Sequence, residues 1–263
     1  MFNKRIIRVG LEIDKKVRWY EGLSIEAQIK KTTSPQENTA TVVIINLSKE
    51  TRMALATKTD KRLWLEVGTE RDGIAQIFTG DITKVSISQP PDISTTIVCD
   101  TKTHERKQPV SKSFKQIQTK AIATDIAKDL DLSLQFEATN KALLSYSHTG
   151  NKINQIENFK KVGGIDVFID DDTLVVKDLK KAKKNEMVVL HKGSGMLGMP
   201  EAKEDDGIQV TSLYNPNIVI GGAVEIKSEL VEELNGVYEV QAISYNITNK
   251  NEKWEMSLEC QKW

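Results

Sequence analysis

Apolar side chains recur at every second position through most of the first hundred residues. The alternating segments are Ile7, Val9, Leu11 and Ile13; Leu23, Ile25, Ala27 and Ile29; Ala40, Val42 and Ile44; Leu63, Leu65 and Val67; and Ile93, Thr95, Ile97 and Cys99. A period of two places one face of an extended chain against a core, which is typical of half-buried antiparallel strands. Turn-forming stretches, "YEGLS", "TSPQENT", "ERDG" and "QPPD", separate these segments. The pattern predicts a barrel or sandwich of five or more short strands.

One helix is predicted between these strands, in "NLSKETRMALA". Ser48 is a natural N-cap, and Glu50 lies in the first turn, where the helix dipole favours an anion. Met53 and Leu55 supply apolar cover, so this helix is expected to plug the end of a barrel.

The middle third of the chain changes to a helical period. The stretch "SFKQIQTKAIATDIAKDL" has Ser113 and Gln116 at capping-box spacing, and "NKINQIENFKKVGG" ends in Gly163 and Gly164, so both predict helices. Their apolar stripes are Phe114, Ile117, Ala121 and Ile126 in the first, and Ile153, Ile156, Phe159 and Val162 in the second.

A hairpin is predicted after the second helix, and strands resume from about residue 186. In "IDVFIDDDTLVVKDL", alternating apolar residues flank a turn at Asp170 to Thr173. The later strand-like segments are "EMVVLHK", "GIQVTSLY", "AVEIKS", "GVYEVQAISYNI" and "KWEMSLEC". The fold class expected is α+β, mainly β, with an N-terminal β-barrel (1–100), a helical and β-hairpin middle module (101–184) and a C-terminal β-barrel (185–263).

Charge is distributed unevenly along a chain whose formal net charge is zero. Residues 1–100 carry 15 basic and 13 acidic side chains, residues 101–184 carry 16 and 11, and residues 185–263 carry 6 and 13. This segregation suggests either subunits docking through opposite faces or modules that are solvated independently.

Catalytic and metal-binding patterns are weak throughout. His104, His148 and His191 lie far apart, without an acid or cysteine at ligand spacing. Gly193 to Gly195, "GSG", is interpreted as a flexible corner rather than a nucleophile elbow. Cys99 and Cys260 are interpreted as small buried strand residues, with a disulfide between them as the less favoured alternative.

Charged runs receive structural interpretations as well. The acidic runs Asp170 to Asp172 and Glu204 to Asp206 fall where turns are needed and lack the ligand pattern of a calcium loop. The basic run Lys177 to Lys184 has no interleaved aromatic residues, so a solvated linker or a protein-docking face is favoured over nucleic-acid binding. We therefore expect no catalytic residues, no cofactor, no metal, no nucleic-acid binding and no stable membrane association. The N-terminal residues also lack the pattern of a secretion signal.

Two separate blocks of the sequence carry a family resemblance. The front block is "NTATVVIINLSKETRMAL" followed by "IFTGDITKV", and it contains Asn46 to Ser48, Phe78, Gly80 and Asp81. The rear block runs from "SGMLGMPE" through "GIQVTSLYNPNIVIGGAVEIKS" to "LNGVYEVQAISYNITNKNEKWEMSLEC". With the residues of the front block at characteristic places, the two blocks resemble the baseplate hub proteins of contractile-tailed phages, a family related to the late control protein D type and to the hub part of type VI secretion spikes.

The resemblance implies a structural virion protein and not an enzyme. It implies a homotrimeric ring in which each chain contributes two tube-protein-like β-barrels, giving a pseudo-sixfold collar between a hexameric tail tube and a trimeric spike. Implied partners are the tail tube or tube-initiator protein, the central spike, the tape measure protein and baseplate wedge proteins. The implied location is the tail baseplate of the virion, after assembly in the host cytoplasm. The alternatives are a tail-associated peptidoglycan hydrolase and a carbohydrate-binding β protein.

Overall fold

Strands dominate the computed structural model, which describes residues 4–34, 38–57, 61–89, 91–184, 187–250 and 253–262. The strands of the described residues are β1 (Arg5–Ile13), β2 (Lys16–Tyr20), β3 (Ile25–Thr32), β4 (Thr39–Ile45), β5 (Arg62–Thr69), β6 (Gly73–Ser88), β7 (Ser94–Asp100), β8 (Pro109–Gln118), β9 (Ser133–Phe136), β10 (Ala142–Asn151), β11 (Ile165–Asp170), β12 (Thr173–Asp178), β13 (Val188–Leu190), β14 (Met196–Ala202), β15 (Gly207–Leu213), β16 (Ala223–Ile226), β17 (Gly236–Thr248) and β18 (Trp254–Lys262). The helices are α1 (Lys49–Thr57), α2 (Thr103–Lys107), α3 (Thr119–Asp129) and α4 (Lys152–Gly163). The predicted class, α+β and mainly β, is confirmed.

A single 13-stranded sheet combines strands from both ends of the chain. Its order is β14-β15-β18-β17-β3-β4-β7-β6-β5-β1-β2, and β16 also pairs with β17 and β13. The N-terminal and C-terminal strands meet where β3 lies antiparallel to β17, in register from Thr32 opposite Ala242 to Glu26 opposite Thr248. We call this pairing of β3 with β17 the seam. Among the described residues, the strand pairings form this open path and do not close either half into a barrel.

The alternation that predicts the strands also selects their buried face. The inward residues of β3, Ile25, Ala27 and Ile29, are buried, while the intervening positions are half-buried or exposed. All five predicted N-terminal strands are present. The sequence pattern did not predict the 16-residue β6 or the exposed β2, because neither has a sustained apolar alternation.

Helix α1 confirms its predicted cap. The Ser48 hydroxyl accepts a hydrogen bond from the Thr51 backbone N–H at 3.2 Å, and Leu55 is buried. The expectation for Met53 is wrong, because its side chain is 57% exposed.

The helix predicted from Ser113 begins only at Thr119, and the residues before it form β8, which pairs with β10 as a two-stranded ribbon. Phe114 and Ile117 lie three apart on the inner side because Lys115 and Gln116 between them both face solvent. A break in the ribbon therefore produces a spacing that looks helical.

The second middle helix and the hairpin are confirmed. The Asn151 side chain caps α4 by accepting from the Asn154 N–H at 2.8 Å, and Gly164 closes the helix with a φ of 57°. Strands β11 and β12 follow, and β9 adds to β12 in parallel. Among the described residues, no helix is long and apolar enough to cross a membrane.

Candidate functional site

The middle hairpin β11–β12 is buried on both of its faces. Phe168 and Val175 lie opposite each other and belong to the apolar core of the main sheet. On the other face the hairpin packs into a second core with α3 and α4. The residues of that face are Ile165, Val167, Ile169, Leu174 and Val176. The hairpin is therefore the element that attaches the middle module to the sheet.

Lys31 anchors the turn of this hairpin from β3. Its ammonium lies 2.5 Å from an Asp170 carboxylate oxygen and 3.0 Å from one of Asp171, and it donates to the Ile77 carbonyl at 3.2 Å. Only 7% of the Lys31 side chain is exposed. Lys183 approaches Asp170 at 3.4 Å from the other side.

Burial and charge act against each other at this cluster. Burial alone would lower the pKa of Lys31, but attraction to Asp170 and Asp171 outweighs it and the pKa is raised. Burial also opposes ionisation of Asp170, yet Lys31 and Lys183 hold its pKa below the usual range. Asp171 shares Lys31 with Asp170, so burial and the neighbouring carboxylate raise the pKa of Asp171 to about 6.

Further contacts from the N-terminal strands hold the same turn. The Arg62 guanidinium lies 2.6 Å from a carboxylate oxygen of Asp172. The buried Asn38 amide donates to the Ile169 carbonyl at 2.9 Å, and the Thr79 N–H donates to Asp171 at 3.3 Å. The N-terminal strands thus bind the hairpin turn through both charge and backbone.

The C-terminal strands hold the hairpin body. The Lys177 ammonium, itself fully buried, lies 2.9 Å from Asp166 and 2.8 Å from Glu239 of β17. Lys160 of α4 completes the cluster at 3.0 Å from Asp166. Burial raises the pKa of Glu239 even though Lys177 opposes the shift. We call the Lys31 cluster and the Lys177 cluster together the ionic junction.

Gly221 lets the C-terminal strands approach the hairpin closely. It has a φ of 72°, and a Cβ at this position would lie 2.6 Å from the Phe168 ring. Its carbonyl accepts from the Lys183 N–H at 2.6 Å. Gly221 lies in a turn, and its close approach to Phe168 is a reason for glycine that the sequence alone does not reveal.

The remaining predicted features have mainly local roles. His191 caps a short 3-10 turn by accepting from the Gly193 N–H, His148 contacts the Asn151 carbonyl at 3.1 Å, and the side chain of His104 lies outside the described residues. Cys99 and Cys260 are buried and free, as interpreted. Leu197 to Pro200 lies inside β14, where the register with β15 shifts.

The three charged runs of the sequence lie in turns or make ion pairs. Asp170 to Asp172 forms the predicted turn, and Glu204 to Asp206 is an exposed turn. The basic run is not a purely solvated linker, because Lys177 is buried and Lys183 is half-buried, and both form ion pairs. Within the described ranges, no group of three or more His, Cys, Asp or Glu side chains is arranged to hold a metal ion.

A polar groove of about 650 Å³ crosses the solvent face of the seam. Its lining includes Gln28, Lys30, Thr41, Ser244, Asn246 and Ser257. These residues lie on the outward face of strands in which inward and outward positions alternate. Tyr245 contributes to the lining but is buried, with its ring packed near that of Tyr214. The groove therefore offers hydrogen-bonding groups rather than a platform of exposed aromatic rings.

Comparison with known proteins places these features in a family. The family model described as Baseplate hub gp41 matches residues 6–260. No curated protein matches the sequence significantly.

Similar solved structures share the fold at very low sequence identity. A tail protein from Neisseria meningitidis MC58 superposes with a TM-score of 0.69 at 9% identity, covering 97% of this chain and 96% of that chain. The 43 kDa tail protein of prophage MuSo2 from Shewanella oneidensis gives 0.69 at 11% identity, with 97% and 98% covered. The E. coli c3393 protein, a type VI secretion component similar to T4 tail proteins gp27 and gp5, gives 0.62 at 7%, with 96% and 76% covered.

Proposed function

Because this chain belongs to the baseplate hub gp41 family, we propose that three copies form a ring that joins a sixfold tail tube to a threefold spike. The family describes a structural component of a phage tail baseplate and not an enzyme. In the proposed ring, each chain supplies two β units, so three chains imitate six tube subunits.

The observation that carries this proposal is the seam. A single continuous sheet places the N-terminal and C-terminal strands side by side in one chain, with β3 directly paired to β17. Closed rings form when a repeated interface completes a rotation. A chain with two laterally joined β units needs three such interfaces to present six units around an axis.

The ionic junction supports the proposal because it ties the middle hairpin to strands of both β units. The middle hairpin contacts β3 through Lys31 and β17 through Glu239, so it spans the seam. An adaptor that matches two symmetries needs a fixed angle between its β units, and buried pairs on both sides of the seam supply that constraint. We propose that the chain consists of an N-terminal β unit (1–100), a middle module that connects the β units (101–184) and a C-terminal β unit (185–263).

The proposed partners follow from the ring. The tail tube or its initiator binds one face and the central spike binds the other, with the tape measure and wedge proteins as further neighbours. The proposed site of action is the virion baseplate, after assembly in the host cytoplasm.

Light scattering of the purified chain, alone and mixed with its tail spike protein, tests this function. We expect the mass of a trimer, or a monomer that becomes trimeric when the spike is added, with weaker assembly at high salt because surface charge contributes to association. A chain that stays monomeric with the spike and with the tube protein contradicts the proposal. Release of soluble fragments from purified peptidoglycan would contradict the purely structural role and favour a hydrolase.

A further inference from the structure

Two large apolar side chains are far more exposed than the other described ones. Leu144 in β10 is 74% exposed and Leu230 is 78% exposed, while the next value is 57%. Both lie on ordered backbone and not in a loose terminus. Large apolar residues that stay exposed on a polar surface often mark a contact with another protein.

Leu144 belongs to a basic surface, which we call the ribbon patch (Lys115, Lys120, Lys141 and Leu144). Leu144 lies opposite Gln116 at the break in the β8–β10 ribbon, where Ser145 has a φ of 57°. Leu144 and Lys115 are both exposed at this break. Lys141 lies at the same end, since its carbonyl accepts from the Thr119 N–H at 2.8 Å. The described ion pairs include none with the three lysines of the patch.

Leu230 belongs to an acidic surface, which we call the loop patch (Glu229, Leu230, Glu232 and Glu233). The loop is closed at its base, where the Ser228 N–H donates to the Asn235 side chain at 2.6 Å and the Asn235 amide donates back to the Ser228 carbonyl at 3.0 Å. The three glutamates are exposed, and they too are absent from the described ion pairs. A small, internally bonded loop therefore presents a leucine surrounded by negative charge.

We propose that the ribbon patch of one copy binds the loop patch of the neighbouring copy. Each patch has a leucine at its centre and charges of one sign around it, and the two signs are opposite. An apolar centre with complementary charges at its rim is the usual anatomy of a specific contact. The inference rests on the proposed function, because it supplies the head-to-tail interface that a ring requires.

The two patches differ from each other, so the contact is heterologous. A heterologous interface gives a closed ring when its rotation completes a circle, whereas a contact between identical patches stops at a dimer. The uneven charge of the sequence, basic in the middle and acidic at the end, has a direct role in this arrangement.

Cysteine cross-linking of the full-length chain tests the contact. Leu144→Cys, Leu230→Cys and the double variant are treated with a short bismaleimide, and the native Cys99 and Cys260 are buried. We expect the double variant to give covalent dimers and trimers, with no larger species. The single variants serve as matched controls and are expected to remain monomeric on a denaturing gel.

Charge reversal gives a second, independent readout. Lys115→Glu with Lys141→Glu should weaken self-association, or spike-induced association, at least about tenfold at low salt, and Glu229→Lys with Glu232→Lys should do the same. Combining all four substitutions should restore association, which excludes misfolding as the cause of the loss.

The outcomes separate this inference from the proposed function. A trimer seen by light scattering that gives no cross-link in the double variant, or that ignores the charge reversals, overturns the inference and leaves the proposed function intact. Cross-linking of Leu144→Cys alone also overturns it, because identical patches would then meet. A chain that is monomeric with and without its spike and tube overturns both.

Discussion

The seam and the ionic junction join parts of the same chain by different physical means. At the seam, β3 and β17 share backbone hydrogen bonds and bury apolar residues such as Ile29 and Tyr245 on one face. At the junction, a hairpin from another part of the chain is held by buried charges, with Lys31 and Lys177 at the centres. The seam uses contacts that any alternating strand can make, whereas the junction depends on particular side chains. Single substitutions should therefore lower the free energy of unfolding much more at the ionic junction than at the seam.

Replacing Lys31 by methionine should have the largest effect. It leaves the mostly buried carboxylates of Asp170 and Asp171 without their main cation, so we expect the free energy of unfolding to fall by about 3–5 kcal/mol. Denaturant unfolding at neutral pH measures this loss. The matched control is Lys30→Met on the exposed face of the same strand, expected within about 0.5 kcal/mol of the parent chain. Equal effects at the two positions would mean that the junction does not hold the hairpin.

Gly221→Ala should have the next largest effect. The new methyl group would overlap the Phe168 ring, and the positive φ adds strain, so we expect a loss of about 2–4 kcal/mol. Gly22→Ala is the control, because Gly22 has a φ of 79° but open space around its Cβ position. The difference in unfolding free energy between the two variants isolates the contribution of the close contact between Gly221 and Phe168 of the hairpin. A loss at Gly221 no greater than that at Gly22 would contradict the packing described here.

Asp170 and Asp171 should respond differently to the same change. At pH 7.5, Asp170→Asn should cost about 1–3 kcal/mol because it removes the carboxylate that is best paired with Lys31. Asp171→Asn should cost little, since burial disfavours the Asp171 charge and asparagine tolerates its φ of 54°. Equal losses in the two variants, measured by thermal and denaturant unfolding, would contradict this assignment.

The pH dependence of stability sharpens that contrast. The pKa of Asp171 is raised in the folded state to about 6, so the folded chain binds a proton that the unfolded chain releases between about pH 4 and pH 6. The Asp171 contribution to stability is therefore present at low pH and lost as pH rises through 6. Between pH 7.5 and pH 5, the parent chain should gain on the order of 1 kcal/mol more stability than Asp171→Asn. Added calcium should not change the melting temperature of the parent chain or of Asp171→Asn, because the carboxylates of Asp170 to Asp172 already have Lys31 and Arg62 as partners.

The smallest effect is expected at Asp172. Its side chain is 42% exposed, so its pair with Arg62 should contribute less than about 1 kcal/mol. Asp172→Asn should be mildly destabilising in low salt and almost silent in 1 M NaCl, where screening is strong. A loss as large as that of Asp170→Asn, measured by the same unfolding assay, would show that exposure does not rank these three acids.

The sheet could be predicted from the sequence because its inward face repeats at short range. The junction could not be predicted, because its contacts to β3 and β17 join residues that lie 139 positions apart (Lys31 and Asp170) and 62 positions apart (Lys177 and Glu239). One local signal was present: Lys31 continues the inward series of Ile25, Ala27 and Ile29, and a lysine at such a position needs a buried partner. Glu239 gave no such signal, because it is buried only where the middle hairpin covers that part of β17.

The middle module shows why local spacing can mislead. Phe114 and Ile117 have helical spacing, but a break in a two-stranded ribbon produces the same spacing. The adjacent helix α3 was correctly expected, although its N-cap is Gln118, five residues later than the Ser113 that the capping-box pattern indicates. In the hairpin, Phe168 adds an apolar residue to the face opposite Ile165, Val167 and Ile169, so β11 is buried on both faces. The alternation of Ile165, Val167 and Ile169 alone does not distinguish such a strand from one that is buried on a single face.

Electron microscopy of the purified chain bound to its tail spike tests whether three copies form the proposed ring. We expect a ring with threefold symmetry, in which each chain contributes two β units joined at the seam, with spike density on the ring axis. A ring built from six copies, or a single chain attached to the side of the spike, would contradict it.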